Sequence, residues 1–545
     1  MTHAQDRALP RAVRLAMPLA RDVVEEVAKL NGVCIRPVPL KRLDTHTGKW
    51  ETIDVPCGSP MDSKCPPCAK RNKQLRKAQC REGWHLDEEP TITPDEPNEE
   101  QRWLVEFRAD IQAQRDDTER DGGDTADLDA VIEGLDEEIN AAGMRGSVLG
   151  RAMTSKRSRS TRRRQDAPDL PKRRMAHTTL GRTFQAPDGR TYRPSLFVTL
   201  TLPSYGKVRD GAPVDPQTYD YARAARDALH FSKLVDRFVQ NLRRVAGFDV
   251  QYFATVEPQK RLAPHLHMAI RGTLPRAEMK QIAAATYHQV WWPPVDQVRF
   301  EGEHLPVWEE GAGYLDADTG EVLPTWDEAL DELDTDEDAE PLHVIRFGEQ
   351  VDVKGVLAGT KDADQCIRYL SKYLTKSLGD GLDGQAQHEH AARFVDALRF
   401  EPCSPTCPNW LRYGVQPKGA KAGMAPGRCR SKAHKPEHLG YAGRRVLVSR
   451  KWSNKTLAEH KQDRRTWVLE ALGKADELID PHRYVWKLSR PVTPTWLRWR
   501  YGSCGPFVSG NAGALTWPNS KPERTAKIFR QLKGGRHERR VQEAR

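Results

Sequence analysis

The segment HLHMAIRG at residues 265–272 constrains this chain more than any other stretch. Side chains along an extended strand alternate between faces, so His265 and His267 share one face while Leu266, Met268 and Ile270 share the other. Such a strand needs apolar cover on one side and leaves a polar surface on the other. The preceding stretch VQYFATVE, residues 250–257, has strand composition and ends in Glu257, and the short connection through residues 258–264 fits a hairpin. That hairpin brings Glu257 beside the two imidazoles. Two nitrogens and one oxygen suit a divalent ion such as Mg²⁺ or Mn²⁺, with positions left open for phosphate oxygens. The competing reading is a pair of surface histidines on an edge strand. His388 and His390 also form H-x-H, but in the polar segment GQAQHEHAARF without strand alternation, and they are assigned no site.

Around this strand the pattern is that of a globular domain. Residues 195–202, SLFVTLTL, alternate as a strand, residues 222–245 read as a helix, and residues 275–291 have helical spacing with Pro275 in the first turn. Helical periodicity returns at Ala363 in a run that continues IRYLSKYLTKSLG, where Ile367, Leu370, Leu374 and Leu378 fall on one face. Tyr369 and Tyr373 lie about 40° apart on another, flanked by Lys372 and Lys376. A buried aromatic stripe would set lysines opposite the rings rather than beside them. A phosphodiester is a poor electrophile and a phenol of ordinary pKa a weak nucleophile, so joining the two needs a cation to polarise the phosphate and an ammonium to offset developing charge. The histidine strand and the tyrosine helix together supply both.

The 545-residue length exceeds one ordinary core and indicates several units. Residues 1–86 form an N-terminal zinc-finger-like module, 87–175 an acidic and then basic linker, 176–400 the catalytic domain with an acidic insertion at 301–342, and 401–545 a basic C-terminal region. A net charge of +10 favours an anionic partner. The mean hydropathy of −0.72 and the lack of long apolar runs or a leader pattern point away from membrane and export, toward the cytoplasm. Ten cysteines are too sparse for a disulfide scaffold and cluster as metal ligands do. Cys57, Cys65, Cys68 and Cys80 can clasp a structural zinc, with His85 an alternative fourth ligand. Cys403, Cys407, Cys429 and His434 form a looser second set in which His438 can replace His434, while Cys34, Cys366 and Cys504 read as ordinary thiols. Beyond Cys429, Arg444, Arg445, Arg450, Lys451 and Trp452 make a basic, aromatic stretch suited to phosphate and exposed bases, or a solvated basic face. No phosphate-binding loop occurs, so strand separation calls for a partner helicase.

These motifs resemble the HUH endonucleases, whose pattern is a histidine-hydrophobic-histidine strand and a helix-borne Y-x-x-K. FVTLTLP resembles the first family motif, APHLHMAIRG the second and YLSKYLTK the third, in the family's order. Within that group the chain resembles actinobacterial plasmid replication initiators through TYRPSLFVTLTLPSYG, NWLRYGVQPKG and GRRVLVSRKWSNKTLAEH, over roughly residues 191–464. The resemblance implies an α+β fold with a small antiparallel sheet flanked by helices, a catalytic ion on His265 and His267 with Glu257 as a variable third ligand, and tyrosine attack on origin DNA. The products are a 5′-phosphotyrosine and a 3′-hydroxyl that primes a host polymerase. Tyr373 with Lys376 is the first choice of nucleophile and partner, Tyr369 with Lys372 the rival. A conjugative relaxase or transposase of the same superfamily, and a zinc-dependent DNA-binding regulator without catalysis, are the competing functions.

Overall fold

The computed structural model describes residues 18–90, 97–141, 144, 167–189, 191–372, 374, 384–473 and 483–488. The chain divides into two compact units, one built from residues 1–91 with 160–499, the other from 92–159 with 500–545. Along the first run strands β1 (Val38–Asp44) and β2 (Trp50–Val55), helix α1 (Pro66–Trp84), β3 (Pro194–Thr201), α2 (Tyr221–Ala246), β4 (Tyr252–Pro258), β5 (Pro264–Arg271), α3 (Arg276–Ala285), β6 (Val351–Leu357), α4 (Lys361–Lys372), α5 (Gln385–Phe400), β7 (Val446–Val448) and β8 (Tyr484–Leu488). Five of these strands form an antiparallel sheet in the order β6-β3-β5-β4-β7, so the fold is mixed helix and antiparallel sheet. The basic C-terminal stretch thus supplies an edge strand, β7, to the central sheet. No described helix is long and apolar enough to cross a membrane.

Strand alternation decides how the sheet is covered. Leu196, Val198 and Leu200 of β3, Leu266, Met268 and Ile270 of β5 and Val256 of β4 point to one side. There they bury against Phe231, Leu234, Val235, Phe238 and Leu242 of α2 and Met279 and Ile282 of α3. Full burial of such side chains contributes about 1.5–3 kcal/mol each. Helix α2 starts where Asp220 accepts the Arg223 N–H and stops at Gly247, whose φ of 70° only glycine takes without strain. On the opposite side, Phe197, Phe253, Ala269 and Val356 meet Ala363, Cys366, Ile367 and Leu370 of α4, Cys80 and Trp84 of α1, and Trp452. Trp84 donates its indole N–H to Ser195 Oγ at 2.7 Å, and Ser195 donates onward to the Val356 carbonyl at 2.7 Å. Helix α1 is thereby fastened to the sheet that carries the histidines.

Three segments depart from the sequence expectation. The helix expected over 275–291 stops at Ala285, and Tyr287–Val290 pairs instead with His343–Arg346, because Thr286 and the residues after it favour extended backbone. The acidic insertion contains a folded element: the helix Trp326–Thr335 opens on a capping box between Thr325 and Glu328 and buries Trp326 against Trp292 and Trp410, leaving its acids outward. In the second unit, the acidic stretch read as part of a linker holds helices Glu99–Arg120 and Ala126–Ala141, which bury Leu104, Ile111, Leu135 and Ile139 together. The basic run at residues 155–164 lies outside the described residues.

Candidate metal centre and catalytic helix

The sheet register builds the site. His265 stands between Thr201 on β3 and Glu257 on β4, and His267 between Thr199 and Thr255. Direct cross-strand partners share a face, so six polar side chains line one side of the sheet. Ligand atoms of Glu257, His265 and His267 all lie within 4.8 Å of one another, as the hairpin at residues 258–264 requires. The two imidazoles stand 4.5 Å apart between ring centroids and nearly perpendicular, and His267 Nε2 is 3.2 Å from Glu257 Oε2.

The threonines were not singled out by sequence, yet they orient both rings. Thr201 Oγ1 lies 2.7 Å from His265 Nδ1, and Thr199 Oγ1 lies 3.2 Å from His267 Nδ1. In the tautomer protonated at Nδ1 each ring donates to its threonine and turns an Nε2 lone pair outward, the arrangement that metal-ligating histidines use. The T-L-T spacing of β3, matched against H-x-H, was the available signal. Burial first, and then the charge of His267, push His265 down to about 4, so it stays neutral and able to ligate well below neutrality. Thr255 Oγ1 is buried on this face without a hydrogen-bond partner among the described residues. Two imidazole nitrogens and one carboxylate oxygen are a donor set that fits a divalent ion with open positions.

Helix α4 brings the phenol. Its buried stripe of Ala363, Cys366, Ile367 and Leu370 seats it on the sheet, which leaves Tyr369 at the border, 40% exposed. The Tyr369 ring meets His267 edge-on at 4.8 Å and Phe197 at 6.1 Å between centroids. Lys372, one turn on, is exposed at the end of the helix. Tyr373 and Lys376 lie outside the described residues.

The first cysteine set is corrected in one member. Sulfur atoms of Cys34, Cys57, Cys65 and Cys68 lie within 4.8 Å of one another, whereas Cys80 is buried in the α1–α4 core with its thiol pushed far up by burial. One helical turn separates Cys65 from Cys68 at the start of α1, but Cys80 lies four turns along, so the β1–β2 hairpin instead folds Cys34 back. Cys65 Sγ and Cys34 Sγ are 3.8 Å apart, near the edge of about 3.8 Å that a zinc tetrahedron with 2.3 Å bonds demands. Backbone N–H groups of Arg36 and Cys57 donate to Cys34 Sγ. His85 accepts the Gly359 N–H through Nδ1 and stands apart from the sulfurs.

Cys403, Cys407, Cys429 and His434 come together within 4.8 Å, without His438. His434 Nδ1 meets the Leu398 carbonyl at 2.7 Å, which aims Nε2 at Cys407, 3.6 Å away. Trp410 and Trp326 pack behind this set. In the basic stretch after it, Trp452 is fully buried, its indole donating to the Cys80 carbonyl at 3.2 Å, so it is unable to stack an exposed base as the sequence had indicated.

A family model described as the replication initiator protein of pSAM2 matches residues 20–505. A replication initiator protein of Streptomyces ambofaciens is 27% identical over 267 residues, which cover 40% of this chain and 52% of that relative. The chain spans about half the length of this curated relative. No solved structure matches.

Proposed function

The chain belongs to the replication initiator family, and from that membership we propose that it starts plasmid replication by nicking one strand of origin DNA through a tyrosine, in the manner of the HUH endonucleases. One observation carries the proposal: the Tyr369 ring lies against His267, whose Nε2 shares a donor set with His265 and Glu257. A divalent ion, Mg²⁺ or Mn²⁺, bound by Glu257, His265 and His267 would polarise the scissile phosphate and offset its charge. The threonines Thr199 and Thr201 fix the two rings before DNA arrives, so no reorganisation is needed at the moment of reaction.

The Tyr369 phenol gives up its proton to water as Oη attacks phosphorus, the new O–P bond forms as the bond from phosphorus to the 3′ oxygen breaks, and the leaving oxygen takes up a proton from water to become a 3′-hydroxyl. The phosphotyrosine retains the bond energy for later rejoining, and the 3′-hydroxyl primes a host polymerase. Lys372, set three residues along as in Y-x-x-K, offsets charge on the phosphoryl oxygens. Tyr373 with Lys376, the first choice from sequence, repeats the same spacing but lies outside the described residues; the first attack is given to Tyr369 for its place against His267, and Tyr373 is the second nucleophile for termination. Strand opening falls to a host helicase. The two cysteine sets hold structural zinc, since four protein ligands leave no position for substrate.

The test is incubation of the purified chain with labelled single-stranded origin DNA and Mn²⁺ or Mg²⁺, followed by denaturing electrophoresis. A covalent protein–DNA adduct is expected, abolished in His265→Ala and in Tyr369→Phe. Complete absence of an adduct overturns the nicking reading and leaves a DNA-binding regulator. Loss in Tyr373→Phe alone moves the first attack to that residue.

A further inference from the structure

Strands β2, β1 and β8 form a second antiparallel sheet in which β8 comes from the far end of the chain. A three-stranded sheet needs a hydrophobic face or a packed helix for independent stability. This one is pinned at both ends of its hairpin, because Cys34 precedes β1 and Cys57 follows β2 within one sulfur cluster. Arg483, just before β8, pairs with Asp44 at 2.8 Å.

Register assigns the side chains of one face to two rows. Thr52, Lys41 and Lys487 are direct partners across the three strands, and so are Trp50, Leu43 and Val485. The cationic row and the apolar row are about 6.8 Å apart along the strands. This face looks into solvent: Trp50 is 50% exposed and Val485 43%, and Lys41, Thr52 and Lys487 are exposed. Lys487 Nζ stands 5.7 Å from the centre of the Trp50 ring. Lys49, in the turn before Trp50, adds a third exposed cation, and Asp54 is the acid at the far end of the face. The opposite face also carries an exposed indole, Trp486, but there the cation is already engaged, with Arg42 bound to Glu51 at 2.7 Å and lying 4.3 Å over the Tyr484 ring.

We propose that the outward β2–β1–β8 face is a docking platform for single-stranded DNA, a base stacking on Trp50 while phosphates meet Lys41 and Lys487. The occupant follows from the chemistry of the two rows. An exposed indole beside ammonium groups offers a π-face that any unpaired base can cover and charges that a phosphate chain neutralises. Paired bases keep their faces inside the duplex, so the stacking component selects single strands. The proposal rests on the reading that this chain acts on opened origin DNA, and it gives that reading a surface for the strand away from the metal centre.

The test uses the full chain and a fluorescent thymidine homopolymer, with a duplex of equal length as control, followed by anisotropy at several salt concentrations. Trp50→Ala is expected to weaken single-strand binding roughly tenfold, with Trp50→Phe restoring most of it. Replacing both Lys41 and Lys487 by Gln is expected to lower the log–log salt slope by about 1.4, from about 0.7 per phosphate contact on single strands. Unchanged binding in Trp50→Ala overturns the platform, whatever happens to self-association in sedimentation, which would mark the face as a contact between copies. Equal losses on duplex and single strand overturn it as well. The covalent-adduct assay is read separately: an adduct with Trp50-independent binding sinks only the platform, whereas Trp50-dependent binding without any adduct sinks only the nicking reaction.

Discussion

Thr201 Oγ1 lies 2.7 Å from His265 Nδ1, across a strand pair in which the two residues are direct partners. The contact engages Nδ1 and leaves Nε2 of the ring as the nitrogen available to a metal beside Glu257 and His267. Thr201→Val keeps the β-branched shape and removes the hydroxyl, leaving the ring orientation unfixed. Mn²⁺ affinity, followed by calorimetry or electron paramagnetic resonance, is expected to fall by about 10- to 100-fold, as for other partners of metal-bound histidines. Wild-type affinity in this variant would show that the threonine has no hold on the ring.

The sulfur geometry distinguishes Cys34 from Cys80. Cys34→Ser is expected to remove one equivalent of zinc, counted with a chromogenic chelator after denaturation, because it breaks the four-sulfur set. Cys80→Ser should keep all its zinc and instead lose about 1–3 kcal/mol of stability from a hydroxyl buried among Trp84, Trp452 and Ile367. Zinc loss from the Cys80 variant would restore the sequence assignment.

Gly83 lies where α1 comes closest to Trp452. A methyl group there would run into the indole ring and come within 2.5 Å of the Trp452 carbonyl oxygen. Helix α1 cannot retreat, since Trp84 is bonded to Ser195 on the sheet. Gly83→Ala is therefore expected to cost about 1–3 kcal/mol, visible as a lowered melting temperature. An unchanged melting temperature would mean that α1 is not held against the sheet.

His390, unassigned from sequence, is buried on α5, with Nδ1 2.8 Å from the Tyr221 hydroxyl and Nε2 without a partner among the described residues. Burial first, with the charge of Arg393 second, pushes its pKa down to about 4. The unfolded chain therefore binds more protons between that value and about 6.5, and stability present above pH 6.5 is lost as pH falls toward 4. By pH 5 the loss is on the order of 2 kcal/mol. His390→Gln, which bonds Tyr221 but does not titrate, should make the pH dependence of thermal melts less steep by its share, leaving that of other buried histidines such as His265. An equally steep dependence in the variant would place the titrating group elsewhere.

Local pattern in the sequence determined what local physics controls. The period-two alternation of β5 required His265 and His267 to share a face, the short connection required Glu257 to return beside them, and the apolar stripe of α4 required Tyr369 to stand clear of the core. Tertiary structure alone decided matters that depend on residues far apart in the chain. The partnership of Thr199 and Thr201 with the histidines is a matter of register between strands more than sixty residues apart. Cys34 rather than Cys80 completes the sulfur set because a hairpin closes on the start of α1 while the rest of that helix buries itself on the sheet. Trp452 reads as a surface aromatic among basic neighbours, yet it fills the space between α1 and β4, since the burial of a large ring is settled by what arrives to cover it.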